Sequence, residues 1–258
     1  IICSWNGLMI SSLSRFARIT ADTRALRMAQ EAADFVIENL YTNKQLYRRW
    51  IDGECKFLAQ LDDYSFFIEG LIELYCTSSQ FKYLELAKEL QNQVEDLFWD
   101  EEAKTYNSTR RDEDFVFRKN REYTDNVIPS ALSATLHNLI WLGELSVDIE
   151  KIEKAELLAK HTPQRLQEIP AAYPRYIEFL DLATNERESV SILSDGSIPS
   201  LEIIQKIETL KQHRRRIVVS DNNQQPLFAG KTLLYKPATY YICLGKTCSA
   251  ARSQYVID

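Results

Sequence analysis

Apolar residues recur at the 3.6-residue period of a helix in successive pairs of segments, and the pairs begin near residues 5, 62 and 130. A helical pair with one apolar face must bury that face against a neighbour. A spacing of about 60 residues therefore implies stacked αα-hairpins, as a solenoid or a ring. The first pair runs from about Trp5 to Ile19 and then onward from Asp22, which reads as an N-cap ahead of Leu26, Ala29, Ala33, Val36, Ile37 and Leu40. In the second, Asp62 to Tyr75 is apolar nearly all round and should be enclosed, whereas Phe81 to Phe98 has one apolar stripe and one wet side. Ser130 to Leu142 and Asp148 to Ala159 repeat that contrast. The wetter helix of each pair is the outer one.

Polar stretches with strand-like fragments separate the pairs, notably Gln45 to Ile51 and Lys104 to Phe117, the latter flanking Arg110-Arg111-Asp112-Glu113 with Tyr106 and Phe115-Val116-Phe117. They predict short β-hairpins at one rim, where a pocket would be built. After a short apolar stretch at Tyr173 to Leu182, the pattern changes. Val190 to Leu193 reads as a strand, Pro199 to Leu210 as a helix and Ile217 to Val219 as a strand, a βαβ-like unit turning through Ser194-Asp195-Gly196-Ser197. The expected fold is mainly α, an incomplete (α/α)6 toroid over residues 1–185 with a small α/β appendage over 186–258. Three visible hairpins predict an arc rather than a closed ring.

Charge and cysteine content narrow the function classes. A net charge of −6 gives no extended positive field for a phosphate backbone, so nucleic acid is not an expected partner. The basic run His213 to Arg216 follows an apolar-periodic stretch and reads as a solvated helix end. No apolar run approaches a membrane span and no charged leader precedes an apolar core, so the expectation is a soluble, cytoplasmic chain. Five scattered cysteines argue for a reducing compartment, and Cys243 and Cys248 read as free thiols flanking a turn. His137 should be a satisfied core residue, and neither it nor His161 has metal-ligand spacing. No Walker loop, dinucleotide fingerprint or nucleophile elbow occurs, so no cofactor or metal is expected. The opening Ile1-Ile2-Cys3-Ser4-Trp5, without an initiating Met, suggests that further sequence lies upstream.

Several short motifs carry a resemblance. Ser4-Trp5-Asn6-Gly7-Leu8-Met9-Ile10, Leu61-Asp62-Asp63-Tyr64, Gly70-Leu71-Ile72-Glu73-Leu74-Tyr75, Leu97-Phe98-Trp99-Asp100-Glu101 and Ile128-Pro129-Ser130 occur in an order that resembles the spermatogenesis-associated, thioredoxin-domain-containing (YyaL-type) proteins. The resemblance covers most of the chain. It implies a six-hairpin, glycosidase-like domain related in shape to N-acylglucosamine 2-epimerases, and a thioredoxin-like domain upstream as a partner in the full-length protein. It implies a fold and not a reaction. Ala131-Leu132-Ser133 stands where the family continues Gly-Asn-Ser, so a flexible glycine and an amide are lost from a cavity-facing turn.

Sugar-handling rings need carboxylates as acid and base and aromatic faces for stacking. The candidate catalytic residues are Asp62 and Asp63, at the start of an enclosed helix, and Asp125, ahead of the next one. Trp5, Asn6, Tyr64, Asn126 and Ser130 are the candidate substrate-binding residues around the same mouth. Helix and turn capping would equally explain Asp62, Asp63, Asp125 and Asn126. Carbohydrate binding or processing, a non-catalytic binding or scaffold toroid, and a degenerate fragment all remain open on the sequence.

Overall fold

The computed structural model of the chain describes residues 1–112, 121–161, 163–208, 214–245 and 247–255. The expected strand at Phe115 to Phe117, the end of the helix at Leu210, and His213 lie outside these residues. Three hairpins form as the periodicity predicts: α1 (Cys3–Thr20) with α2 (Thr23–Leu40), α3 (Leu61–Ser78) with α4 (Phe81–Phe98), and α5 (Ala131–Ser146) with α6 (Ile149–Leu158). A further helix, α7 (Pro174–Thr184), starts with Pro at N1, where a missing N–H costs nothing. The boundaries follow cap chemistry. The Asp22 carboxylate accepts from the Arg24 and Ala25 amides, Ser130 Oγ from the Ser133 amide, and the Asp148 carboxylate from the Lys151 amide.

Helices α1, α3, α5 and α7 pack successively on one another, while α2, α4 and α6 lie outside them. Because each outer helix returns the chain, the inner helices run in the same direction and share a rim for their N-termini. That rim carries the small sheets: β1 (Tyr41–Thr42), β2 (Gln45–Ile51) and β3 (Glu54–Leu58) before α3, and β4 (Trp99–Asp100) with β5 (Thr105–Tyr106) before α5. Burial follows the layers. Helices α3 and α5 are enclosed along almost their whole lengths, whereas α2 and α4 bury a single stripe. The tightest contact is between α1 and α3, where a Cβ on Gly7 would lie 2.5 Å from the Phe66 carbonyl carbon and one on Gly70 would lie 2.8 Å from the Gly7 carbonyl oxygen. Only glycine lets the two backbones approach so closely.

The last third builds the expected strand–helix–strand unit: β6 (Glu188–Ser194), α8 (Ser200–Glu208) and β7 (Arg215–Ser220), with β6 and β7 parallel and Val190 opposite Ile217. The sheet also gains β8 (Ala238–Leu244), antiparallel to β6, and β9 (Thr247–Cys248), giving the order β7-β6-β8-β9. This unit packs into the arc. Helix α8 lies on α1 and α3, β7 lies on α3, and Val218, Leu193 and Phe228 join the main core.

Three expectations are corrected here. Cys243 and Cys248 form a disulfide rather than two thiols, because β8 and β9 pair in a register that sets them directly opposite each other, with Cα atoms 3.9 Å apart. Arg215 and Arg216 are not a solvated helix end. They start β7 and turn inward, Arg215 onto Glu188 at 2.5 Å and Arg216 onto Glu73 at 2.9 Å. His137 is buried as expected but not satisfied, since its Nε2 has no hydrogen-bond partner.

Candidate functional site

Each inner helix turns one polar stripe toward the concave side of the arc. Residues three and four apart share a helical face. Ser11, Arg15 and Arg18 of α1, Glu69 and Glu73 of α3, His137 and Trp141 of α5, and Arg175 and Glu178 of α7 meet there. Two adjoining cavities result, one of about 300 Å³ walled by Arg18, His137, Trp141, Arg215 and Arg216, and one of about 440 Å³ walled by Leu8, Ser11, Glu69, Asp125 and Asn126. They share Arg15, Arg175 and Glu178, so they form one trough.

Its floor is an ion-pair network. Glu73, fully buried, accepts from Arg15 at 2.9 Å, Arg18 at 2.6 Å and Arg216 at 2.9 Å. Burial alone would raise its carboxyl, but the guanidiniums of Arg15, Arg216 and Arg18 overrule it and hold the group well below the usual carboxylate range. Glu69 bridges Arg15 at 3.0 Å and Arg175 at 2.9 Å, and Glu208 pairs with Arg18 at 2.9 Å. Burial, then the positive field of Arg175, Arg216 and Arg15, pushes His137 well below its ordinary value, so its imidazole is neutral. The Arg216 guanidinium lies over the Trp141 ring at 4.0 Å. The motif residue Glu73 was the available sequence signal for this centre, because a carboxylate in an otherwise apolar, enclosed helix must find cationic partners. Arg15, Arg18, Arg175, Arg216 and Trp141 sit far apart in sequence, and only the fold brings them together.

The sequence candidates fall in three places. Asp62 and Asp63 sit at the first turn of α3, and Arg48 of β2 binds both, at 2.9 Å and 2.8 Å. Asp63 has no exposed surface; its carboxylate accepts from the Ser4 and Gln60 amides, each at 3.1 Å, and completes a capping box with Gln60. Burial first, then the charge of Asp62, raises Asp63 to about 6, with Arg48 opposing. The Asp62 side chain keeps 23% exposure. It stands seven residues before Glu69, two turns up the same face of α3. Asp125 lines the trough and staples two helix starts, accepting from the Ser130 amide at the start of α5 and the Arg175 amide at the start of α7, both at 2.6 Å. Asn126 is exposed on the same wall.

Ser130 is buried as the N-cap of α5, donating its hydroxyl to the Glu122 carbonyl. Tyr64 is buried and turned toward α4, its hydroxyl donating to Gln93 and its ring edge-on to Phe98. Asn6 donates to the carbonyl of Ile2, the N-cap residue of its own helix. Trp5 is 64% exposed, one residue after the Ser4 amide that binds Asp63. Asp125 and Asn126 therefore share a cavity, while Asp62, Asp63 and Trp5 are not among its walls. No group of three or more His, Cys, Asp or Glu arranged to hold a metal occurs among the described residues. No helix among them is long and apolar enough to cross a membrane.

No family model matches the sequence. Human spermatogenesis-associated protein 20 is 23% identical over 96% of this chain and 34% of its own length, and an uncharacterised Caenorhabditis elegans protein is 31% identical over 68% of the chain and 25% of its own. The chain thus spans about a third of the length of the human relative. Among solved structures, a cellobiose 2-epimerase from Spirochaeta thermophila superposes with a TM-score of 0.51 at 17% identity, over 62% of this chain and 42% of that one. An α-1,6-mannanase from Salegentibacter superposes at 0.52 and 11% identity, over 64% of this chain and 48% of that one. A second structure of that mannanase is an inactive variant, with two consecutive aspartates changed to asparagine, in complex with α-1,6-mannotriose. This chain is thus similar to spermatogenesis-associated protein 20 along nearly all of its own 258 residues, and its fold is an arc like those of the glycosidase-like and epimerase-like helical toroids.

Proposed function

We propose that this chain binds a small saccharide in the concave trough. The observation that carries the reading is the convergence of one polar stripe from each of α1, α3, α5 and α7, with Trp141 among them, on adjoining cavities in an arc shaped like sugar epimerases and a mannanase. Hydrogen-bonding side chains fixed by ion pairs, beside an aromatic, suit a ligand that is polar at its edges. A second reading, processing as well as binding, rests on the acidic pair. Asp63 is dehydrated and raised to about 6 while Asp62 meets solvent, and a mannanase of this fold has an inactive variant altered at two consecutive aspartates. In that reading Asp62, which stands outside the trough walls two turns from Glu69 on the same face of α3, meets the part of a longer saccharide that extends beyond the trough, and Asp63, locked to two amides and Arg48, positions it.

A glycan panel screened for retention and for turnover tests both. Retention of at least one mono- or disaccharide supports binding, and retention of none overturns it. Turnover lost in Asp62→Asn while retention persists supports processing; a panel retained but never turned over leaves the chain a binding domain.

A further inference from the structure

The smaller cavity of the trough has more donors than its own carboxylates can use. Five nitrogens on residues that line it are closed off from solvent and have no hydrogen-bond partner: Arg175 Nε, Arg215 Nη2, Arg216 Nε, His137 Nε2 and Trp141 Nε1. Native proteins leave few such atoms, and five around one cavity of about 300 Å³ is a concentration that asks for a ligand. The acceptors nearby already serve other donors, and Glu178 Oε2 stops 3.8 Å from His137 Nε2. Glu73 serves three arginines, Glu69 two, Glu178 binds Arg175, and Glu208 binds Arg18. What these residues still hold is unpaired N–H, on guanidiniums whose other nitrogens are clamped: Arg175 between Glu69 and Glu178, Arg216 to Glu73 and the Arg215 carbonyl, and Arg215 to Glu188 and the Ile207 carbonyl.

A neutral sugar brings hydroxyls that must both donate and accept, so it would leave some of its own donors unmatched here. A planar carboxylate only accepts, in the geometry that arginine serves best. We propose, on top of the saccharide reading, that this cavity holds the carboxylate of an acidic monosaccharide, a hexuronate, with Arg175 and Arg216 on the carboxylate, Trp141 Nε1 donating beside it, and His137 donating in its Nε2–H tautomer. The C-terminal unit thereby becomes part of the site, since Arg215 and Arg216 come from β7 and the remaining donors from the helical arc.

Isothermal titration calorimetry of the whole 258-residue chain with D-glucuronate, D-glucose and inorganic phosphate tests this. Glucuronate should bind at least about tenfold more tightly than glucose, since its carboxylate gains charge-assisted hydrogen bonds that glucose lacks. Arg175→Lys keeps the charge and removes the Nε donor, and Trp141→Phe keeps an aromatic plane beneath Arg216 and removes the indole donor. Each should weaken glucuronate at least about fivefold while leaving the melting temperature within a few degrees, and either variant suffices if the other fails to fold. No heat with glucuronate, equal affinity for glucose, or undiminished binding in both variants overturns the inference. Glucose bound and glucuronate not would refute the acidic sugar and leave the saccharide reading standing. Phosphate bound with neither sugar would refute the acidic sugar and assign the donors to a simple anion, leaving the saccharide reading to the glycan panel.

Discussion

Asp63 is held where an ionised carboxylate is costly. It has no exposed surface and stands next to Asp62, and the two amides and one guanidinium that it accepts from only partly offset that cost. Its folded value of about 6 lies above the range of an unfolded aspartate, so the folded state binds the proton more tightly. The stability this contributes is complete below about 4 and is lost as pH rises through about 6. Asp63→Asn removes the titration. Between pH 4 and pH 6.5 the wild-type chain should lose on the order of 2 kcal/mol relative to the variant, read as converging or crossing denaturation midpoints, since each tenfold difference in proton affinity between the folded and unfolded chain is worth about 1.4 kcal/mol. A difference constant across that window would contradict the assigned environment. From sequence alone, a helix-start acid pair was readable as cap or as catalyst. The structure gives Asp63 a capping box with Gln60, a local pairing that the sequence could carry, whereas its bonds to the Ser4 amide and Arg48 were not legible because those groups come from other elements.

At the scale of elements, cap residues and periodicity made the helices legible, and the expected segments Phe81 to Phe98 and Asp148 to Ala159 reappear as α4 and the capped α6. Contacts set by the packing of elements far apart in sequence were not legible. Gly7 and Gly70 appear within the family-like motifs, yet their reason is the backbone contact between α1 and α3. Gly7→Ala should cost about 1–3 kcal/mol, as overpacking does where backbone rather than a flexible side chain must yield. Chemical denaturation measures it, and a change below about 0.5 kcal/mol would mean that the helices can separate freely. The strand pairing that joins Cys243 to Cys248 was missed for a related reason. The cysteine spacing fits a tight hairpin as well as a turn with two thiols, and β8 itself was not foreseen, although Ala238 to Leu244 is rich in the aromatic and β-branched residues that favour strands.

For the molecule as a whole, the arc and its C-terminal unit form one body around the trough: Glu73 of α3 pins Arg15 and Arg18 of α1 to Arg216 of β7, and Glu69 ties Arg15 to Arg175 of α7. Periodicity and motif order were enough to read the arc from sequence. The trough was not readable, because its charged residues are spread from Arg15 to Arg216 and each, taken singly, resembles an ordinary surface charge. The central claim is that a saccharide enters this trough, and Trp141 is its built-in reporter, buried to 2% exposure with an unpartnered indole N–H. The chain has four tryptophans, and the Trp141 indole resonance in a ¹⁵N–¹H correlation spectrum is assigned by its loss in Trp141→Phe. Titration with a retained saccharide should shift that resonance progressively to saturation while those of Trp5, Trp50 and Trp99 stay in place. Saturable shifts at the other indoles with Trp141 unmoved would place the ligand elsewhere and contradict the account.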